Sequence, residues 1–283
     1  MLLPKKLAIY HGLPSLVNGV TSIQDAIDVF KNYDLIVFVN GLENSLHPDH
    51  QNTINIIAGL PVTTQVFGTI DSSKPYPVNW AAIDNWISMG VHGIFCDRFG
   101  YDFINRFHQN VIIEYIHSKN KIAFVKAANI NDVLSNTQNP PKNPNGTSHM
   151  LLSSDWYLKE GYQIVNGSYQ NPMTWKTDSE LLLNYINSIQ IACMATSDIT
   201  AFNQNKLDYA YMSSVLYEFH AFGWGEFLYS SNSNSLPLRI QPAILGDKFI
   251  NNITEPMPGI YQRNTNIGIN VDTTNHIVSL TTL

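Results

Sequence analysis

The sequence predicts a single (β/α)8 barrel, and three observations predict it. Eight short apolar runs recur with starts about 27 to 36 residues apart, the length of one strand, one helix and two turns. The stretches between them carry apolar residues at spacings of 3 and 4, as helices do. A chain of 283 residues, 44% of them hydrophobic, can fill one barrel core.

The runs are KLAIYH from Lys6, DLIVFVN from Asp34, VTTQVFGTID from Val62, VHGIFCD from Val91, KIAFVKAAN from Lys121, DWYLKEGYQ from Asp155, IQIACMATSD from Ile189 and WGEFLYSS from Trp224. Runs so rich in Val, Ile and Phe suit strands buried on both faces. SIQDAIDVFKNY, VNWAAIDNWISMG, FINRFHQNVIIEYIHSKN, TDSELLLNYINSI and KLDYAYMSSVLYEFHAFG read as helices. Ser22 and Asn79 are candidate N-caps, and Gly90 and Gly223 stand where a helix should stop. An open doubly wound sheet is the alternative. It would more often carry a Gly-rich phosphate turn after the first strand, and HGLPSLVNG has no GxGxxG pattern.

Two segments break the rhythm. Residues 137–149, TQNPPKNPNGTSH, are rich in Pro and Asn and predict an irregular insertion before the sixth strand. Residues 236–283 follow the eighth strand, and GIYQRNTNIGINVD with HIVSLTTL predicts a β-hairpin packed on the barrel, turning near Thr273–Asn275. The expected organisation is therefore a barrel over residues 1–235 and a β extension over 236–283.

Charged residues are only 13% of the chain and the net charge is -6, which argues against nucleic acid as a partner. A surface rich in Asn, Ser, Thr and Gln suits work outside the cell, or in a virion or cell-surface assembly, and equally suits an AT-rich genome. No membrane-spanning run occurs, and MLLPKKLAIYHG is too short an apolar stretch for a signal peptide. Cys96 and Cys193 fall inside apolar runs and are expected to pack in the core. His11, His92, His108 and His117 are scattered, so neither a metal nor a cofactor is expected.

In this fold chemistry sits at the C-terminal ends of the strands. The polar residues closing the runs are Tyr10 and His11, Asn40, Thr69 and Asp71, Asp97 and Arg98, Lys126 and Asn129, Glu160, Thr196 and Asp198, then Glu226 and Tyr229. Asp97 and Glu160 stand out, because an acid in an apolar run is costly without a partner or a purpose. They close strands four and six, so they could face one another across the mouth. Glycosidic hydrolysis needs such a pair. Tyr101, Trp156, Tyr162, Trp175 and Trp224 could stack on sugar rings or pack in the core.

The stretch GVHGIFCDRFGYDFINRFHQNVIIEYIHSKNKIAFVKAAN, from Gly90, resembles glycoside-hydrolase barrels related to endo-α-1,4-polygalactosaminidases and spherulin-4-like proteins. These share a strand GIF-D, then GYD, then R--QN on the next helix. SDWYLKEGYQIVNGSYQ, YAYMSSVLYEFHAFGWGE and the closing hairpin are similar to the same family, so the likeness spans nearly the whole chain. It implies Asp97 and Glu160 as the catalytic carboxylates of an enzyme acting on an amino-sugar or galactose-type polymer. Asp97 would be the nucleophile and Glu160 the general acid/base of a retaining mechanism. Arg98, Lys126 and Gly161 depart from the family pattern. A cation beside the acids would keep both ionised, which opposes proton donation. A non-catalytic glycan-binding barrel is thus the competing expectation.

Overall fold

A computed structural model describes residues 3–39, 41–197, 200–226, 229–230, 233–242 and 248–282. The elements in chain order are β1 (Lys5–Tyr10), α1 (Ile23–Phe30), β2 (Leu35–Phe38), α2 (His50–Gly59), β3 (Gln65–Asp71), α3 (Tyr76–Ser88), β4 (Gly93–Asp97), α4 (Arg106–Ser118), β5 (Ile122–Lys126), α5 (Asn131–Leu134) and β6 (Trp156–Glu160). They continue with β7 (Ile164–Val165), β8 (Ser168–Tyr169), α6 (Pro172–Leu183), β9 (Gln190–Thr196), α7 (Gln204–Leu216), β10 (Ala221–Gly225), β11 (Thr254–Met257), β12 (Ile260–Asn264), β13 (Ile267–Asp272) and β14 (Ile277–Thr282). Strands β1 to β6, β9 and β10 close into a parallel eight-stranded barrel, as expected. The last four strands form a separate antiparallel sheet in sequence order.

The alternation of side chains along each strand divides the core in two. One set points into the barrel and includes Leu7, Ile9, Val37, Phe67, Phe95, Phe124, Trp156, Leu158 and Met194. The other set, including Ala8, Tyr10, Ile36, Phe38, Cys96 and Cys193, points outward under the helices. Inside, Phe124 meets Phe95 and Phe67 edge-on at ring-centroid distances of 5.1 and 5.2 Å, forming an aromatic floor. Full burial of each such ring contributes roughly 1.5–3 kcal/mol.

Ser22 caps α1, its Oγ accepting the Asp25 backbone N–H at 3.1 Å. Gly90, at φ +93°, ends the turn after α3. Asn79 is not a cap: it lies inside α3, buried, its side chain donating to the Lys74 carbonyl. Gly223 lies within β10 rather than at a helix end. Helix α7 stops at Leu216, and Glu218, at φ +57°, turns the chain. The eighth barrel strand therefore starts at Ala221, three residues before the expected Trp224. Gly223 suits this place, since a Cβ there would sit 3.1 Å from the Leu7 carbonyl oxygen.

Residues 137–149 form no helix, as expected. The expected hairpin is β13–β14, its turn at 273–276 held by Asp272 Oδ1, which accepts from Thr274 N and Asn275 N at 2.9 Å each. It belongs to a larger sheet than a lone hairpin. That sheet packs on α6 and α7: Tyr261 meets Trp175 edge-on at 5.0 Å, and Arg263 bonds the Leu216 carbonyl at 2.9 Å and Glu218 at 2.7 Å. Among the described residues no helix is long and apolar enough to cross a membrane.

Candidate active site

The same alternation that turns Phe95, Phe124, Leu158 and Met194 inward turns the residues two places later inward as well. Those are Asp97, Lys126, Glu160 and Thr196 at the strands' C-terminal ends. With His11, Thr69, Tyr229 and Val165 they line an open cleft of about 410 Å³, whose floor includes Ile9 and Phe95. The volume is in the range of small-molecule sites.

Lys126 holds the centre. Its Nζ lies 2.7 Å from Glu160 Oε2 and 3.4 Å from Asp97 Oδ1. Laid end to end, those two contacts bound the separation of the two oxygens at about 6 Å. Tyr229 donates its hydroxyl to Glu160 Oε1 at 2.6 Å. Burial pushes Glu160 upward, but the Lys126 charge and the hydrogen bonds from Lys126 and Tyr229 outweigh it, so the carboxyl sits below its ordinary value. Burial likewise opposes the Lys126 charge, and Glu160 and Asp97 overcome it, holding the ammonium above its ordinary range. Burial lowers His11, and Lys126 adds to this against the pull of Glu160 and Asp97. The resting cleft thus holds ionised Glu160 and charged Lys126 together.

The backbone around these groups is tied down. Ser72 N donates to the Asp97 carbonyl at 3.0 Å, and Phe99 N to the Lys126 carbonyl at 3.2 Å. The loop after β4 rests on Gln109, whose Nε2 donates to the carbonyls of Phe99 at 2.5 Å and Asp132 at 3.1 Å. Arg106 donates to the carbonyls of Val133 and Ser135 at 2.7 and 2.8 Å. Gly100 packs against Ala127 and Asp132, where a Cβ would be only 3.3 Å from each. Gly100, Arg106 and Gln109 of the GYD and R--QN pattern are therefore scaffolding for the loops after β4 and β5.

After Glu160 the chain turns at Gly161, at φ +71°, with Val165 above it. That conformation accounts for a glycine at this position. Asn166 and Gly167, both at positive φ, make the two-residue turn of the β7–β8 hairpin. Asn166 N bonds Thr196 Oγ1 at 3.0 Å and Gly167 N bonds the Thr196 carbonyl at 2.8 Å, which sets Val165 and Asn166 on the cleft wall. The sequence reading did not foresee this hairpin, although its Asn-Gly pair between apolar residues was the available signal.

Several expected site residues lie elsewhere. Tyr10 points outward against Phe30 and Phe38 and donates to the Leu13 carbonyl at 3.1 Å. Trp224 also faces outward, meeting Phe202. Glu226 follows β10 and pairs with Arg239. These three line a cavity of only about 40 Å³ where β1 and β10 part beyond the Leu7–Gly223 pair. Trp156 is inside the barrel but at the strand's start, under Lys5. Tyr162 is fully buried and bonds Ser179 and the Ser213 carbonyl. Tyr101 is 7% exposed and packs on Arg106. Asn129 is exposed and its side chain accepts Asn131 N in its own loop. The candidate sugar-stacking rings Tyr101, Trp156, Tyr162, Trp175 and Trp224 are thus packing residues. Asp71 and Arg98 pair with each other at 3.1 Å, in a second lobe beside the cleft. Asn40 and Asp198 lie outside the described residues. Among the described residues no cluster of His, Cys, Asp and Glu could hold a metal ion.

No family model matches the chain, and no curated protein matches it. Solved structures do resemble it. Pyruvate carboxylase T882A from Rhizobium etli with acetyl coenzyme-A is 10% identical, over 79% of this chain and 22% of that one, with a TM-score of 0.50. The carboxyl transferase domain of the same enzyme with oxamate and biotin is 12% identical, over 78% of this chain and 39% of the other, again at 0.50. A dihydropteroate synthase from Coxiella burnetii is 10% identical, over 81% and 90% of the two chains, at 0.46. The chain spans less than half of the pyruvate carboxylase chains it matches. At such identity the likeness is one of fold, a (β/α)8 barrel, and carries no chemistry across.

Proposed function

We propose that the barrel mouth is a glycan-binding site of the glycoside-hydrolase type, which holds a neutral or amino-sugar polymer and cuts it slowly at neutral pH. The observation that carries this reading is the Lys126 ammonium between Asp97 and Glu160. Its charge cancels one of the two carboxylates, so the centre keeps a small negative balance. An anionic ligand, whether phosphate or uronate, would be repelled. A ligand rich in hydroxyls, or one with an amino group, finds donors and acceptors in Lys126, Tyr229, Thr69 and the acids. The resemblance to polygalactosaminidase-related barrels supports the same class of ligand.

Slow cutting follows from protonation. A general acid must carry a proton at the working pH, and Glu160 is held ionised. Loss of general acid catalysis costs roughly 10²–10⁴-fold in rate. A second reading is an active retaining hydrolase, and one observation favours it. The two oxygens that Lys126 contacts lie no more than about 6 Å apart, which is compatible with the close pair of about 5–5.5 Å that retaining enzymes use. In that reading ionised Glu160, braced by Tyr229, suits the nucleophile better than the acid/base role expected from the sequence.

The test is a panel of galactosaminan, galactan and polygalacturonate, assayed for binding and for new reducing ends with wild type and Glu160→Gln. Binding of the first or second polymer with few new ends, and none of polygalacturonate, is expected. Preference for the anionic polymer would refute the reading.

A further inference from the structure

We infer that the glycan site extends past Asp97 into a second lobe, where Glu43 recognises the hydroxyls of a neighbouring sugar ring of the same chain. The inference rests on the glycan reading above and adds where the polymer runs. The second lobe has a volume of about 320 Å³ and shares Val39, Thr69 and Asp97 with the main cleft. The two are therefore adjoining spaces with Asp97 in their common wall, and one ligand chain can cross it. Glu43, Asp71, Lys74, Val78 and Arg98 complete the second lobe.

Its polar groups are not equally occupied. Asp71 accepts from Ser73 N at 3.0 Å, from Ser73 Oγ at 2.5 Å and from Arg98 at 3.1 Å. Glu43 differs: its Oε2 is buried and has no hydrogen-bond partner. A buried carboxyl oxygen without a partner is a costly arrangement, and a turn of the Glu43 side chain into the lobe would bring it to a ligand donor. Burial also holds the Glu43 carboxyl above its ordinary value, against a hydrogen bond from its own backbone N–H and then the charges of His47 and His50. Protonated, the group donates to a sugar hydroxyl; ionised, it accepts from one. Either form fits a hydroxyl, and the ionised form repels an anion. No role for Glu43 was apparent from the sequence, because it lies in the loop after β2 and not at a strand end.

The experiment measures affinity for galactosamine and for its α-1,4-linked oligomers by calorimetry, with wild type, Glu43→Gln and Val78→Arg. Val78 is exposed, so its replacement tests the lobe without risk to the core, and the long Arg side chain would fill the space beside Glu43. In wild type, affinity should climb from monomer to oligomer. Each variant should remove roughly tenfold or more of the oligomer affinity while leaving the monomer within about twofold. An oligomer gain that survives in both variants overturns the second lobe while leaving the main site standing. Wild type that binds neither monomer nor oligomer overturns the glycan reading itself.

Discussion

Strand β6 is flanked by an acid at each end, and the two live in different surroundings. Asp155, just before the strand, is fully buried at the foot of the barrel. It accepts from Ala123 N at 2.8 Å and Leu152 N at 2.7 Å, and pairs with His117 Nε2 at 2.9 Å. Every partner is part of the scaffold, so this acid ties β5, α4 and the turn ahead of β6 together. Glu160, at the strand's other end, has the side chains of Lys126 and Tyr229, which line an open cleft. A carboxylate satisfied by backbone donors builds the fold. One held by side chains at a cleft is available to a ligand.

The largest effect that could break this contrast is on stability. Asp155→Ala strands two backbone donors and a histidine in the interior and should cost about 3–5 kcal/mol, read from urea midpoints. Glu160→Gln keeps the side chain's shape at a half-open site and should cost about 1 kcal/mol or less. Equal costs would mean that Glu160 is also a structural acid.

A smaller effect is expected from pH. His92 and His220 stand at the foot of the barrel just ahead of β4 and β10, and each Nδ1 accepts a backbone N–H, from Val66 at 3.1 Å and from Ile191 at 3.0 Å. That contact requires the neutral ring. Burial lowers both from the ordinary 6.5, and lowers His11 in the cleft as well. A depressed folded value means that their stability is fully present above pH 6.5 and is lost as pH falls through the folded values. Glu160 is depressed from 4.5, so its share is retained until more acid pH. Unfolding free energy should therefore begin to fall just below pH 6.5, by about 1.4 kcal/mol per pH unit for each proton taken up. Midpoints that stay flat down to pH 5 would contradict the foot histidines' role.

How far the sequence revealed the site follows from the same strand geometry. The barrel was legible because fully buried strands and amphipathic helices leave strong periodic signals. Asp97 and Glu160 were legible as acids closing apolar runs. Tyr10, Trp224 and Glu226 were misplaced because proximity to a strand end does not give the side chain's direction. Tyr10 is one residue past inward-facing Ile9, so it faces the helices. Glu226 depends on a strand whose start was three residues out, and such a shift reverses the face. Trp156 has the inward direction but sits at the wrong end. The Asn166–Gly167 turn and Glu43 belong to connections, where the apolar period is silent. Glu43 joins the site only because folding sets it in the lobe that Asp97 also lines.

The central claim is that Lys126 keeps the carboxylate pair from cutting, and Lys126→Met tests it most directly. Without the ammonium, two carboxylates with oxygens within about 6 Å of each other would repel, and one should take up a proton more readily. The measurement is reducing-end release from galactosaminan at pH 6 to 7 by wild type and by Lys126→Met, each first shown to be folded and to bind the polymer. Wild type should bind and release few ends, and the variant should release them faster. Rapid release by wild type that vanishes in Lys126→Met would contradict the claim and make Lys126 part of the cutting machinery.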